Sequence, residues 1–161
     1  MNEKYPALFY QQQGNGLLKC ELCPHNCKIS DNKTGICRVR KNIDGKLYSL
    51  NYGKVSSLGL DPVEKKPLYH FYPRAEVLSM GSWGCNMACS FCQNWQISQQ
   101  KPQLRDYKPA EIVELALDKE VDLLAYTYSE PTVFYEYMLE TAEIAAEKGL
   151  KNILVSNGFI N

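Results

Sequence analysis

The 161 residues carry eighteen basic and eighteen acidic side chains, so the formal net charge at neutral pH is +0 and no positive surplus exists to hold a nucleic-acid backbone or an anionic membrane surface. A hydrophobic fraction of 45% excludes a disordered chain, and no apolar run approaches the roughly 20 residues of a membrane-spanning helix. From the N-terminus, Met1 to Tyr10 places Asn2, Glu3, Lys4 and Pro6 where a signal peptide needs an unbroken apolar stretch, which points to the cytoplasm.

Up to about Arg74 the chain holds short strand-like runs between turn signals. Cys37 to Arg40 and Lys46 to Leu50 flank Asp44-Gly45, a hairpin signature, and Val55 to Leu60 reads as a strand closed by Asp61-Pro62. Apolar content here is thin, so residues 1–74 read as a small β module that needs help to fold. From residue 75 the pattern changes. Glu76 to Met80 is a buried strand. Ile112, Val113, Ala116 and Leu117 follow at helical spacing behind Pro109, and Asp122 to Tyr128 is a second strand. A helix over about Thr132 to Lys148 lies between Pro131 and Gly149 and carries Phe134, Met138, Thr141 and Ala145 on one face. Asn152 to Ser156 is a third strand. Strand, helix, strand, helix, strand predicts a parallel sheet in an α/β fold.

Seven cysteines cannot all pair, and they fall into two groups. Cys20, Cys23, Cys27 and Cys37 supply four soft ligands within eighteen residues, enough for one closed metal site, either zinc or an auxiliary iron–sulfur cluster. A metal there would contribute the folding energy that the module's core lacks. His25 stands among them as a surface group, a neighbour of the ligands or a replacement for one. Cys85, Cys89 and Cys92 follow the first strand of the β/α series, in the loop where open α/β sheets place ligands. Three thiolates on a four-iron four-sulfur cluster leave one iron open for chemistry; the alternatives are a zinc site completed by His25 or His70, or three buried small hydrophobes.

Cys85-x3-Cys89-x2-Cys92 with Phe91 directly before the last cysteine resembles the signature of the radical S-adenosylmethionine (SAM) superfamily. Cys20-Glu21-Leu22-Cys23-Pro24-His25-Asn26-Cys27, Gly35-Ile36-Cys37, the Asp61 to Phe71 block and Cys92-Gln93-Asn94-Trp95-Gln96-Ile97-Ser98 are similar to the AmmeMemoRadiSam system radical SAM enzymes, relatives of pyruvate formate-lyase activating enzyme. The resemblance implies the first half of a partial (β/α)6 barrel behind a cysteine-rich β module. Family members are roughly twice as long, which makes the chain an N-terminal fragment. It also implies an oxygen-sensitive four-iron four-sulfur cluster on Cys85, Cys89 and Cys92, whose open iron binds SAM, and reductive cleavage of SAM to a 5′-deoxyadenosyl radical that abstracts hydrogen from a substrate.

By the same resemblance, Phe91 lies against the adenine, Ser129 and Glu130 stand where relatives carry a Gly-Gly-Glu-Pro segment near the SAM amino group, and Asn157 matches a Thr-Asn-Gly segment lining the SAM site. Read without the family, Glu130 and Asn157 cap helices or turns. Implied partners are an electron donor such as flavodoxin or ferredoxin, and a small molecule or glycyl-radical enzyme as substrate. Glu64-Lys65-Lys66 reads as a solvated charge run or an active-site wall, and His70 as a packed, hydrogen-bonded residue. Two other functions fit the cysteines: a non-catalytic iron–sulfur electron carrier and a zinc-organised interaction module.

Overall fold

The computed structural model describes residues 4–161; the reading of Met1 to Tyr10 therefore falls in part outside the described residues. The N-terminal region builds two three-stranded antiparallel sheets from short strands: β1 (Tyr5–Pro6), β2 (Tyr10–Gln12), β3 (Leu18–Cys20), β4 (Lys28–Ile29), β5 (Arg40–Ile43) and β6 (Lys46–Ser49), ordered β1-β6-β5 and β2-β3-β4. The Asp-Gly hairpin forms between β5 and β6, with φ of 52° at Asp44 and 74° at Gly45, the pair of positive values that a tight two-residue turn requires. Its first strand begins at Arg40, later than Cys37, because Arg38 sits at a φ of 69° and breaks the extended run.

After the two-residue β7 (Lys54–Val55) comes β8 (Ser57–Pro62), which pairs antiparallel along its whole length with β9 (Glu76–Gly81). A short helix α1 (Trp95–Ser98) and β10 (Arg105–Asp106), which pairs with β7, lead to α2 (Pro109–Asp118), β11 (Leu123–Tyr126), α3 (Tyr135–Glu147) and β12 (Lys151–Leu154). The four-stranded sheet has the order β12-β11-β9-β8, with β9, β11 and β12 parallel. The β/α alternation is thus as expected, but the sheet is mixed. The residues before Asp61-Pro62 join the same sheet as the β/α series, so the boundary expected near Arg74 falls within the β8–β9 connection.

The sheet is covered on both sides, the usual condition of parallel strands. Leu78, Met80, Leu124 and Tyr126 pack under α2 and α3 against Ile112, Val113, Ala116, Phe134, Met138 and Ala145. The opposite face buries Val77, Leu123, Ala125 and Ile153 with Val63. The helix expected from Thr132 opens as a single 3₁₀ turn over Pro131–Phe134, and its predicted apolar stripe, Phe134, Met138, Thr141 and Ala145, is buried throughout. No helix among the described residues is long and apolar enough to cross a membrane.

A buried ion pair fastens the N-terminal strands to α3. Arg40 on β5 and Glu136 on α3, with side chains 1% and 2% exposed, meet at 2.9 Å, and the backbone N–H of Leu8 donates to the same carboxylate at 2.8 Å. Such a pair is held by geometry: removing one partner leaves an uncompensated charge in the interior.

Candidate functional site

The loop that leaves β9 is anchored before its first cysteine. Ser82 donates to the carbonyl of Lys54 at 2.6 Å, and its own carbonyl accepts from Ser56 at 2.6 Å and from Ser129 at 2.9 Å, tying the ends of β9 and β11 together. Gly84 follows at a φ of 88°, where a Cβ would lie 2.7 Å from both the Cys37 carbonyl and Val39 Cγ1. Only glycine lets the loop approach the N-terminal strands this closely. From the other side, Arg38 donates to the carbonyl of Ser98 and, at 3.0 Å, to Gln99 Oε1 at the end of α1.

On this frame Cys85 and Cys92 are half-buried and Cys89 is exposed. The Met87 N–H donates to Cys85 Sγ at 3.4 Å, and Cys92 Sγ lies 3.5 Å from Ser98 Oγ. Burial pushes the Cys85 thiol up, the Met87 N–H pulls it down, and the charges of Glu130, Cys92 and Cys89 push it up again. Glu130 is therefore close enough to act electrostatically on the first cysteine.

Glu130 is 3% exposed and joins the ends of β11 and β12. Its Oε1 accepts from the Thr132 N–H at 3.0 Å and from Ser156 Oγ at 2.7 Å, while Oε2 accepts from the Asn157 N–H at 2.8 Å. It does cap the 3₁₀ turn, as the residue pattern alone allowed, and it also clamps the loop after β12. It takes part in no ion pair among the described residues. Asn157 Nδ2 donates to Asn86 Oδ1 at 2.9 Å and lies 3.9 Å from Cys85 Sγ. Cys85, Glu130 and Asn157 thus meet at one edge of the sheet. Ser129 points instead at the Ser82 carbonyl, and Phe91 is 87% exposed on the rim. Asn94 donates to the Tyr128 carbonyl at 2.8 Å, fixing the loop to the end of β11, while Gln93 and Trp95 lie on the surface.

Several contacts in and around the site are not announced by the sequence. Asn86, buried beside Cys85, donates to the Phe159 carbonyl at 2.8 Å, and its own carbonyl accepts from His25 Nε2 at 2.7 Å. Tyr128 adopts a φ of 68°, rare for an aromatic residue, and its hydroxyl donates to Asp61 Oδ2 at 3.0 Å. Asp61 also accepts from Lys65 and Lys66, and Lys66 is 7% exposed, so the expected solvated charge run is half interior: its second lysine turns inward to a buried carboxylate. His70, expected to be packed, is exposed, because the segment before β9 turns Tyr69 to Tyr72 outward.

The four N-terminal cysteines line one pocket with His25, Arg40 and Asn86, so the two cysteine groups are neighbours. Neither group converges on one ion-sized point: no three His, Cys, Asp or Glu side chains among the described residues are placed to share a metal ion.

The sequence model of the radical SAM superfamily matches residues 82–161, the span that opens at Ser82 and contains the three-cysteine loop, Glu130 and Asn157. The chain belongs to the radical SAM superfamily. Members of this superfamily generally hold a four-iron four-sulfur cluster and SAM. The chain is also similar to the uncharacterized protein MJ0808 of Methanocaldococcus jannaschii, with 46% identity over 157 residues, 96% of this chain and 47% of that protein. It therefore spans about half the length of the curated relative it matches. No solved structure matches the chain. The donor set fits the superfamily's cluster: three thiolates on one loop, one of them exposed, with a backbone N–H directed at Cys85 and no fourth cysteine in the loop.

Proposed function

We propose that the chain supplies the cluster-binding half of an activating-enzyme-like radical SAM enzyme, with Cys85, Cys89 and Cys92 as cluster ligands. The bound cluster and SAM together supply a one-electron cleavage that yields methionine and a 5′-deoxyadenosyl radical for hydrogen abstraction. The observation that carries this reading is Glu130: a buried carboxylate without a cation among the described residues, held between the second and third strand ends beside Cys85. A buried charge needs a counter-charge, and the ammonium group of SAM supplies one at that place.

The other residues orient and shield. Asn157 and Asn86 pair through their side-chain amides beside Cys85. Ser129 closes the gap between the ends of β9 and β11, and the buried Trp83 keeps water from the loop's inner side. Phe91 offers an exposed ring to the adenine. The electron comes from a donor of the flavodoxin or ferredoxin type, and the substrate is a small molecule or a glycyl-radical enzyme. The resemblance of the Asp61 to Phe71 and Cys92 to Ser98 blocks to activating-enzyme relatives supports that substrate class.

Glu130→Gln tests the reading, because it keeps the size and most hydrogen bonds but removes the charge. After anaerobic reconstitution, SAM affinity should fall roughly tenfold or more, the worth of about 1.4 kcal/mol or more for a charge-assisted contact, while the cluster absorbance stays. Unchanged SAM binding and unchanged 5′-deoxyadenosine release under dithionite would return Glu130 to a purely structural role.

A further inference from the structure

Cys20 ends β3, Cys23 and Cys27 flank the turn into β4, and Cys37 precedes β5. These four thiols take no part in the chemistry proposed above, yet they line a single pocket, and none is in a disulfide. The backbone holds that arrangement: the Cys20 N–H donates to the Cys27 carbonyl at 2.9 Å, and the Arg38 N–H donates to the Gly35 carbonyl at 2.9 Å, closing the turn that presents Cys37. The cavity among them is ≈ 10 Å³, the room of about one water-sized sphere. A single ion is the smallest guest that four thiols on one pocket wall can share.

A second observation points to negative charge at this place. Arg40 lines the pocket and is fully buried; its two terminal nitrogens are engaged by Glu136 and the Leu8 carbonyl, but its Nε–H has no hydrogen-bonding partner among the described residues. An unsatisfied buried guanidinium N–H is costly, and a thiolate sulfur on the pocket wall is an acceptor for it. Four thiolates around a dication carry two net negative charges, and Arg40 is the cation that lines the pocket.

We propose that Cys20, Cys23, Cys27 and Cys37 bind one zinc ion in a closed structural site. Binding rotates the side chains about χ1 onto the ion, each thiol releases its proton to solvent, and four Zn–S bonds of about 2.3 Å form without any change of oxidation state. With all four positions filled by protein there is no open coordination site, which assigns the ion to folding and not to catalysis. Because Asn86 lines the same pocket and Gly84 rests on the Cys37 carbonyl, the ion also braces the three-cysteine loop.

The experiment is metal analysis of the chain with Cys85, Cys89 and Cys92 all replaced by alanine, so that only the N-terminal ligands remain. Expected are one zinc per chain, no acid-labile sulfide, and loss of at least nine-tenths of that zinc when Cys20→Ser and Cys37→Ser are added. Iron with labile sulfide in the triple variant, or no metal at all in a folded one, overturns the assignment. If circular dichroism shows the triple variant to be unfolded, the unmodified chain with its reconstituted cluster is analysed instead: one zinc beside the iron supports the site, and iron alone refutes it. The outcome does not depend on whether Glu130 binds SAM.

Discussion

The two cysteine groups lie side by side and differ in nearly everything except ligand chemistry. In the N-terminal group Cys20 and Cys37 are buried, four thiols line one small pocket, and a buried arginine, Arg40, lines it with them. In the loop after β9 one thiol is exposed, only three are present, and the buried carboxylate of Glu130, with no cation among the described residues, acts on the first of them. Cysteine count alone would make the first group the more important one. Exposure and the sign of the neighbouring charge separate the two groups: a buried set beside a cation suits the structural ion proposed above, and an exposed set beside a buried carboxylate suits the proposed cationic ligand.

The largest effect is expected at the exposed group. Replacing any one of Cys85, Cys89 or Cys92 by alanine should abolish SAM cleavage and strip the loop's iron, measured as iron and labile sulfide after anaerobic reconstitution, while zinc stays at the other group. A smaller effect is expected at the seam. Gly84→Ala must place a methyl against the Cys37 carbonyl at a φ of 88°, which should destabilise the chain by about 1–3 kcal/mol and lower the metal content of both groups together. The shift of the urea midpoint and the paired metal analysis check it.

The smallest effect lies away from both groups, on the face of the sheet opposite α2 and α3. Burial alone would raise the Asp61 carboxyl, but hydrogen bonds from Lys65, Lys66 and Tyr128 outweigh it and hold the group well below the usual carboxylate range. A carboxyl depressed in the folded state contributes stability that is present above its unfolded value and lost as pH falls through its folded one. Urea melts from neutral to strongly acidic pH should show this loss, and Asp61→Asn should flatten that part of the profile without changing the metal content of either group.

The β/α alternation was legible because each element has its own punctuation, such as Pro109 ahead of one helix and Pro131 and Gly149 on either side of the next, and because apolar residues recur at helical spacing. The superfamily was legible because the motif of the three-cysteine loop lies in local spacing. What was not legible depends on partners far along the chain. Nothing near Arg40 announces Glu136, and nothing near Asn86 announces Phe159 or His25; each contact exists only once the fold is made. Lys66 was misread for the same reason, since its counter-ion is close in sequence but buried only when β8 joins the sheet. The antiparallel course of β8 was likewise hidden, because a strand's pattern records which residues are buried and not which way its neighbour runs.

That course has a consequence of its own. Ser57 pairs with Gly81 and Pro62 with Glu76, so β8 enters the sheet at the end where the cysteine loop leaves it. Everything before β8 is therefore delivered to that end. Had β8 run the other way, six residues at about 3.3 Å each would have left the N-terminal strands roughly 20 Å away, at the opposite end of the strands. The polarity of one strand decides whether the N-terminal cysteines are neighbours of the loop or strangers to it.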